Sequence, residues 1–215
     1  MTPAILSLQE AGTRPAGTTG YEVQAGFSLV GIDVPSLPVF PALTLGVAIE
    51  RGLTDHVDLG LRYTTWLGFD HRFGPELQVG IERGGPWCVG VRAHPWARIA
   101  GAVGDDFSFG GDLSTQAAAV VTRRWEKTAW TFEAGATTQW ILFERLDGES
   151  FVDDAPWLAT IDGAVELSWA DRWAEALAVR LEVGVSRAPD DPIAVFGLRP
   201  RLVVAGHFGA KKTGD

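Results

Sequence analysis

Two runs of strict alternation, joined by a short polar turn, constrain this chain more than any other feature. Residues 42–66 read ALTLGVAIERGLTDHVDLGLRYTTW. Leu43, Leu45, Val47 and Ile49 alternate with Thr44, Gly46, Ala48 and Glu50; after the polar turn 51–55, Val57, Leu59, Leu61 and Tyr63 alternate with Asp58, Gly60, Arg62 and Thr64. Side chains of a strand point alternately to opposite faces, so a period of two spells a β-hairpin with two unlike faces. One face is apolar. The other carries charges and glycines. The fold turns on which of them looks inward.

The same period recurs along the chain. Ten strands are expected: 21–30, the two of the hairpin, 76–82, 87–94, 113–124, 129–143, 157–169, 177–186 and 193–208. Their connections alternate in length. Those after strands two, four, six and eight are short, with Gly84-Gly85-Pro86 among them; the longest of the others run over 95–112 and 144–156. Short turns at one end and long loops at the other, with an even strand count, are expected of a barrel that spans an outer membrane.

Composition agrees. Hydrophobic residues make up 46% of the 215, and the mean hydropathy is +0.08. Yet the apolar residues never form a run of roughly 18, so a transmembrane helix is excluded. The polar face presents Glu22, Gln24, Glu50, Asp58, Arg62, Glu76, Gln78, Glu82, Arg92, Gln116, Glu133, Gln139, Asp162, Glu166, Arg180, Glu182, Arg199 and Arg201. Gly26, Gly46, Gly60, Gly80, Gly90, Gly135 and Gly184 share it. A solvated face puts no pressure on side-chain size, whereas the inside of a small closed barrel does.

The aromatics give the direction. Tyr21, Trp87, Trp125, Trp130, Trp169, Trp173 and Phe208 fall at the short-turn end, and Trp66, Phe69, Trp140, Phe143 and Trp157 at the long-loop end. Strand centres carry Leu, Val, Ile and Ala. Aromatic girdles flanking an aliphatic band match a bilayer in cross-section. The expected fold is therefore all-β: a closed, antiparallel, up-and-down transmembrane β-barrel of about ten strands. Leu43, Leu45, Val47, Ile49, Val57, Leu59 and Leu61 are expected to face lipid. Glu50, Asp58, Arg62, Glu82, Arg92, Glu133, Glu166, Arg180, Glu182, Arg199 and Arg201 are expected to line the lumen, the arginines opposing the carboxylates. Trp66, Trp87, Trp130, Trp140, Trp157, Trp169 and Phe208 are expected in the girdles. The expected organisation is a flexible N-terminal segment over 1–17, a barrel domain over 18–208 and a tail over 209–215.

These features resemble those of bacterial outer-membrane β-barrels, over about 21–208. The phrase RGLTDHVDLGLR, residues 51–62, is similar to a turn that recurs in poorly characterised members. The ending LVVAGHF, residues 202–208, is similar to their C-terminal β-signal, although 209–215 follow where the aromatic is usually last. The resemblance implies a place in the outer membrane, with the lipid bilayer as partner. Residues 1–17 have neither the basic nor the long apolar region of a secretory signal, so a mature form is expected.

Chemistry is sparse. A net charge of −9 and no basic stripe argue against nucleic acid. One cysteine, Cys88, excludes an internal disulfide and a cysteine cluster; it reads as a small buried residue. His56, His71, His94 and His207 show no metal-ligand spacing, so no metal and no cofactor are expected. Acidic loop residues (Asp105, Asp106, Asp112, Glu144, Asp147, Glu149, Asp153, Asp154, Asp190 and Asp191) match no calcium-loop pattern. Omptin-like proteases resemble this chain in strand number and use Asp and His at the extracellular rim. Asp70, His71 and His94 are the nearest candidates, but neighbours on one strand point to opposite faces.

The expected function is a non-enzymatic narrow pore or a loop-presenting scaffold, meeting a small polar solute or an extracellular partner at the loops. The alternatives are an outer-membrane enzyme with an Asp/His site at the extracellular rim, and a soluble lipocalin-like barrel whose aliphatic face lines a ligand cavity.

Overall fold

In the computed structural model, the described residues are 10–32, 40–66, 70–80, 86–102, 108–146, 149–151, 157–169, 176–187 and 195–208. They form β1 (Thr19–Ile32), β2 (Phe40–Gly52), β3 (Val57–Trp66), β4 (Asp70–Gly80), β5 (Trp87–Ala102), β6 (Ser108–Arg124), β7 (Thr128–Leu146), β8 (Glu149–Phe151), β9 (Trp157–Trp169), β10 (Ala176–Arg187) and β11 (Val195–Phe208).

Ten of these strands close a ring. Neighbours run β6-β5-β4-β3-β2-β1-β11-β10-β9-β7, and β6 pairs with β7 to close it. Every pairing is antiparallel. The seam between first and last strands runs from Thr19↔Phe208 to Ile32↔Val195. Closure leaves no strand edge in the hydrocarbon, where an unpaired N–H or C=O has no water to bond. The short β8 is an eleventh strand outside the ring. It pairs with the end of β7 as Glu144↔Phe151 to Leu146↔Glu149.

The wall is taller than period alone suggests. β4 begins at Asp70, β5 continues to Ala102 and β6 begins at Ser108. Much of the expected loop over 95–112 is therefore sheet, and β7–β8 pairing takes up the start of the loop over 144–156. The wall beyond the apolar band carries residues such as Arg98 and Asp112, so its polarity disguises it as loop.

The apolar face looks out. Leu45, Val47, Ile49, Leu59 and Leu61 are all more than 40% exposed, as are Val23, Leu77, Val91, Val179, Leu181 and Leu202; Leu43 and Val57 are half-buried. The buried interior is the polar face, with Glu22, Gln24, Glu50, Asp58, Glu76, Gln78, Arg92, Glu133, Glu166 and Arg180 at 8% exposure or less. A soluble barrel with an aliphatic cavity is the inverse of this arrangement, so the lipocalin-like reading is overturned. An aliphatic exterior around a charged interior is stable only where the exterior meets lipid. Trp87, Trp125 and Trp130 lie outward at the short-turn end, and the Arg123 guanidinium sits 5.2 Å from the Trp87 ring and 4.8 Å from that of Trp125. Such pairs suit the membrane–water boundary, where a ring is half in lipid and a cation reaches water.

Trp66 departs from its expected place in the outer girdle. On β3 it continues the inward series Arg62, Thr64, and it lines the lumen with them. The period of two leaves it no other face. Trp140 and Trp169 are half-buried. The side chains of Trp157 and Phe208, all of Glu82, and the tail over 209–215 lie outside the described residues.

Candidate functional site: an ion ring beneath an arginine-lined vestibule

The charges of the polar face assemble into a ring around the lumen. Arg62 on β3 reaches Glu22 on β1 at 3.2 Å and Glu76 on β4 at 2.6 Å. Glu76 meets Arg92 on β5 at 2.7 Å. Arg92 meets Glu133 on β7 at 2.8 Å, and Glu133 meets Arg180 on β10 at 2.8 Å. Arg180 is 2.9 Å from Glu182, which is 2.9 Å from Arg201 on β11. Arg201 donates to Gln24 on β1. The circuit thus returns to the strand on which it began.

The strands it steps over carry small residues at that level. On β2, β6 and β9 the inward positions are Gly46 and Ala48, Ala118, and Ala164. A Cβ on Gly46 would lie 2.6 Å from the Gln24 side chain. Long arginines therefore span to second-neighbour strands because the strand between leaves room. Each carboxylate in the circuit faces a guanidinium, which is how charges are tolerated away from bulk water.

The second element is the end of the N-terminal segment. Expected to be flexible, its residues 10–14 instead lie buried inside the short-turn end. The Arg124 guanidinium holds the Glu10 carboxylate at 2.6 Å. Ala11 N–H donates to Thr122 Oγ1 at 2.8 Å. The Gln78 amide donates to the carbonyls of Glu10 at 2.7 Å and Gly12 at 3.1 Å. Thr13 Oγ1 donates to the Asp55 carbonyl, and Arg14 N–H donates to the Asp58 carboxylate at 2.8 Å. Ala11 packs with Cys88 and Val120 in a small apolar cluster.

The wall is cut back to receive this segment. A Cβ on Gly90 would stand 2.8 Å from the Ala11 carbonyl oxygen, and one on Gly80 would stand 3.1 Å from Thr13 Cγ2. At both positions a side chain would contest the space the segment occupies. The sequence does carry a signal for this. Glu10 and Arg14 bracket Ala11-Gly12-Thr13, a compact stretch with a charge at each end, but it lacks the alternation that marks a strand.

Bounded by the ring and extending toward the β3–β4 end, the lumen holds a cavity of about 310 Å³. Its walls include Arg62, Arg72, Arg92, Arg98, Arg180, Arg199 and Arg201 but only the four carboxylates of Glu76, Glu133, Asp162 and Glu182. Arginine outnumbers acid here although the chain as a whole is acidic. Asp70 and Asp112 offset part of the excess, since Arg98 pairs with both, at 2.9 and 3.1 Å.

The expected lumen residues Glu50, Asp58, Arg62, Arg92, Glu133, Glu166, Arg180, Glu182, Arg199 and Arg201 all lie inside the barrel, and all but three join the ring or the vestibule. Glu50 and Asp58 lie nearer the N-terminal segment, with Arg14 3.9 Å from Glu50. Glu166 lies 3.9 Å from Arg180.

The rim candidates separate. Asp70 is buried and paired with Arg72 and Arg98, whereas His71 is exposed on the outer face, its Nδ1 bonded to the Tyr63 hydroxyl at 2.8 Å. His94 is inward, its ring 4.9 Å from that of Trp96. His56 is exposed in the β2–β3 turn, and the His207 side chain lies outside the described residues. Asp112 is buried against Arg98; the side chains of the other acidic loop residues are outside the described set. Among the described residues there is no grouping of His, Cys, Asp and Glu suited to a metal ion.

No protein-family model matches the chain, and no curated protein does. Solved structures similar to it include the N-terminal β-barrel domain of Pseudomonas aeruginosa OprF, at 13% identity and a TM-score of 0.41 over 86% of this chain and 98% of that one. The outer membrane protease OmpT from Escherichia coli shares 10% identity, with a TM-score of 0.49 over 89% and 94%. The COG4313 outer membrane channel from Pseudomonas putida F1 shares 12%, with a TM-score of 0.47 over 94% and 100%. At such identities no activity passes from those proteins to this chain.

Proposed function

Taking the chain as an outer-membrane β-barrel, we propose that it is a narrow, non-enzymatic pore for small polar solutes, closed at rest by its own N-terminal segment. The observation that carries this reading is the division of the lumen into two parts. The upper part is a cavity lined by charges. The lower part is filled by residues 10–14, which are held by hydrogen bonds and by the ion pairs of Glu10 with Arg124 and Arg14 with Glu50 rather than by a large apolar core. Polar contacts of this kind can be exchanged for water as the segment withdraws. A wide general porin needs more strands than ten.

The separation of Asp70 from His71 argues against a rim hydrolase built on that pair, because a carboxylate on one side of the wall cannot orient an imidazole on the other. A scaffold role for the loops is the other reading. The built cavity favours the pore.

Planar-bilayer recording tests it. The wild-type barrel is expected to show rare, small conductance steps, and a Glu10→Ala, Arg124→Ala double variant more frequent ones, with anions favoured over cations. Absence of steps from both proteins, each shown to be folded by heat-modifiable gel mobility, would overturn the pore.

A further inference from the structure

Among the described residues, one arginine of the vestibule has no ion-pair partner. Of the seven arginines lining it, Arg62, Arg92, Arg180 and Arg201 belong to the ion ring, and Arg72 and Arg98 share Asp70. Arg199 makes neither an ion pair nor a hydrogen bond among the described residues. Its guanidinium lies 5.9 Å from the centre of the Trp66 ring, and that of Arg72 lies 5.5 Å from the same ring. The inward turn of Trp66 thus places an indole among the cations of the vestibule. Trp96 adds a second indole to the lining, tilted at 55° to His94. Nearby, His94 Nε2 and Arg201 Nε are buried without a hydrogen-bond partner.

We propose that this vestibule binds a small planar monocarboxylate, its carboxylate on Arg199 with Arg72 beside it and its flat body against Trp66. Three features select that class. A guanidinium offers two parallel N–H donors to the two oxygens of a carboxylate. The indoles offer flat apolar surface, which a compact inorganic anion cannot use. Arg199, unpaired among the described residues, is matched by a single negative charge, whereas a dianion would bring a second charge toward Asp70 and Glu182, both of which already act on Arg199. A cavity of about 310 Å³ is at the small end of ligand sites, which suits a one-ring acid and excludes an oligomer.

The inference rests on the reading of the upper lumen as a solute vestibule, but it does not require conduction. Binding is therefore measured on the full barrel folded in detergent, by titration calorimetry or ligand-observed NMR, with benzoate, acetate and inorganic phosphate as probes. Benzoate is expected to bind at least tenfold more tightly than acetate. Arg199→Gln should weaken benzoate tenfold or more, Trp66→Leu should weaken benzoate several-fold while leaving acetate unchanged, and Arg199→Lys should retain part of the affinity. Heat-modifiable mobility checks that each variant is folded. No benzoate binding to the folded wild type overturns the proposal. So does phosphate binding as tightly as benzoate, or benzoate affinity indifferent to Arg199→Gln. Benzoate binding without conductance in any variant would remove the pore and leave this site standing.

Discussion

Glu133 on β7 accepts from Arg180 on β10 at 2.8 Å, across the width of β9, and both side chains are almost fully buried. The same carboxylate oxygen accepts from Arg92 on β5, also at 2.8 Å. Glu133 is thus the anion between two guanidiniums that come from opposite directions around the wall. Its register partners on the neighbouring strands are Val120 of β6 and Ala164 of β9.

Removing that carboxylate leaves two buried guanidiniums facing each other. Breaking a buried pair by deleting one partner costs about 3–5 kcal/mol, so Glu133→Ala is expected to lower stability by about 3 kcal/mol or more. Urea unfolding in lipid vesicles, read by the shift from folded to unfolded mobility, measures it. Glu126→Ala, in the exposed β6–β7 turn, should change stability by less than about 0.5 kcal/mol. Equal effects from the two substitutions would show that the ring does not hold the wall together.

The seating of residues 10–14 can be read through Cys88, which is fully buried beside Ala11 and Val120. In the wild type a small methanethiosulfonate reagent should reach it slowly. Gly90→Val places a side chain where the Ala11 carbonyl lies, since even a Cβ there would stand 2.8 Å from that oxygen. Labelling of Cys88 should then accelerate at least tenfold while the barrel keeps its heat-modifiable mobility. An unchanged rate in the folded variant would mean that the segment does not shield this part of the lumen.

How much of this was legible in the sequence differs by element. The alternation from Leu43 to Tyr63 separates two faces, and the glycines on the polar one indicate that it is the crowded side. Parity also carries Trp66 inward, because it follows Arg62 and Thr64 at intervals of two. Its position at a strand end suggested a girdle, and that weaker positional rule loses to the pleat. The ion ring is another matter. Arg180 reaches Glu133 two strands away, and which strands come opposite at one height depends on the stagger of the whole barrel. The buried residues 10–14 have no period at all. They are held by contacts to Gln78, Thr122, Arg124 and Asp58, partners that the charges at the two ends of the segment do not specify.

The outward face offers the sharpest test of the bilayer itself. Val47 lies in the middle of β2, paired with Val23 on one side and Tyr63 on the other, and it is 49% exposed. In water a charge on such a surface position would change little. In lipid an arginine near the midplane of a barrel wall costs about 2–4 kcal/mol, falling toward zero at the interfaces. Val47→Arg is therefore expected to cost about 2 kcal/mol or more in vesicle unfolding, and Leu53→Arg, in the exposed β2–β3 turn, about 1 kcal/mol or less. The contrast depends on depth, not on residue type or exposure, since Leu53 at 51% is as exposed as Val47. Equal costs at the two positions would contradict a bilayer around β2.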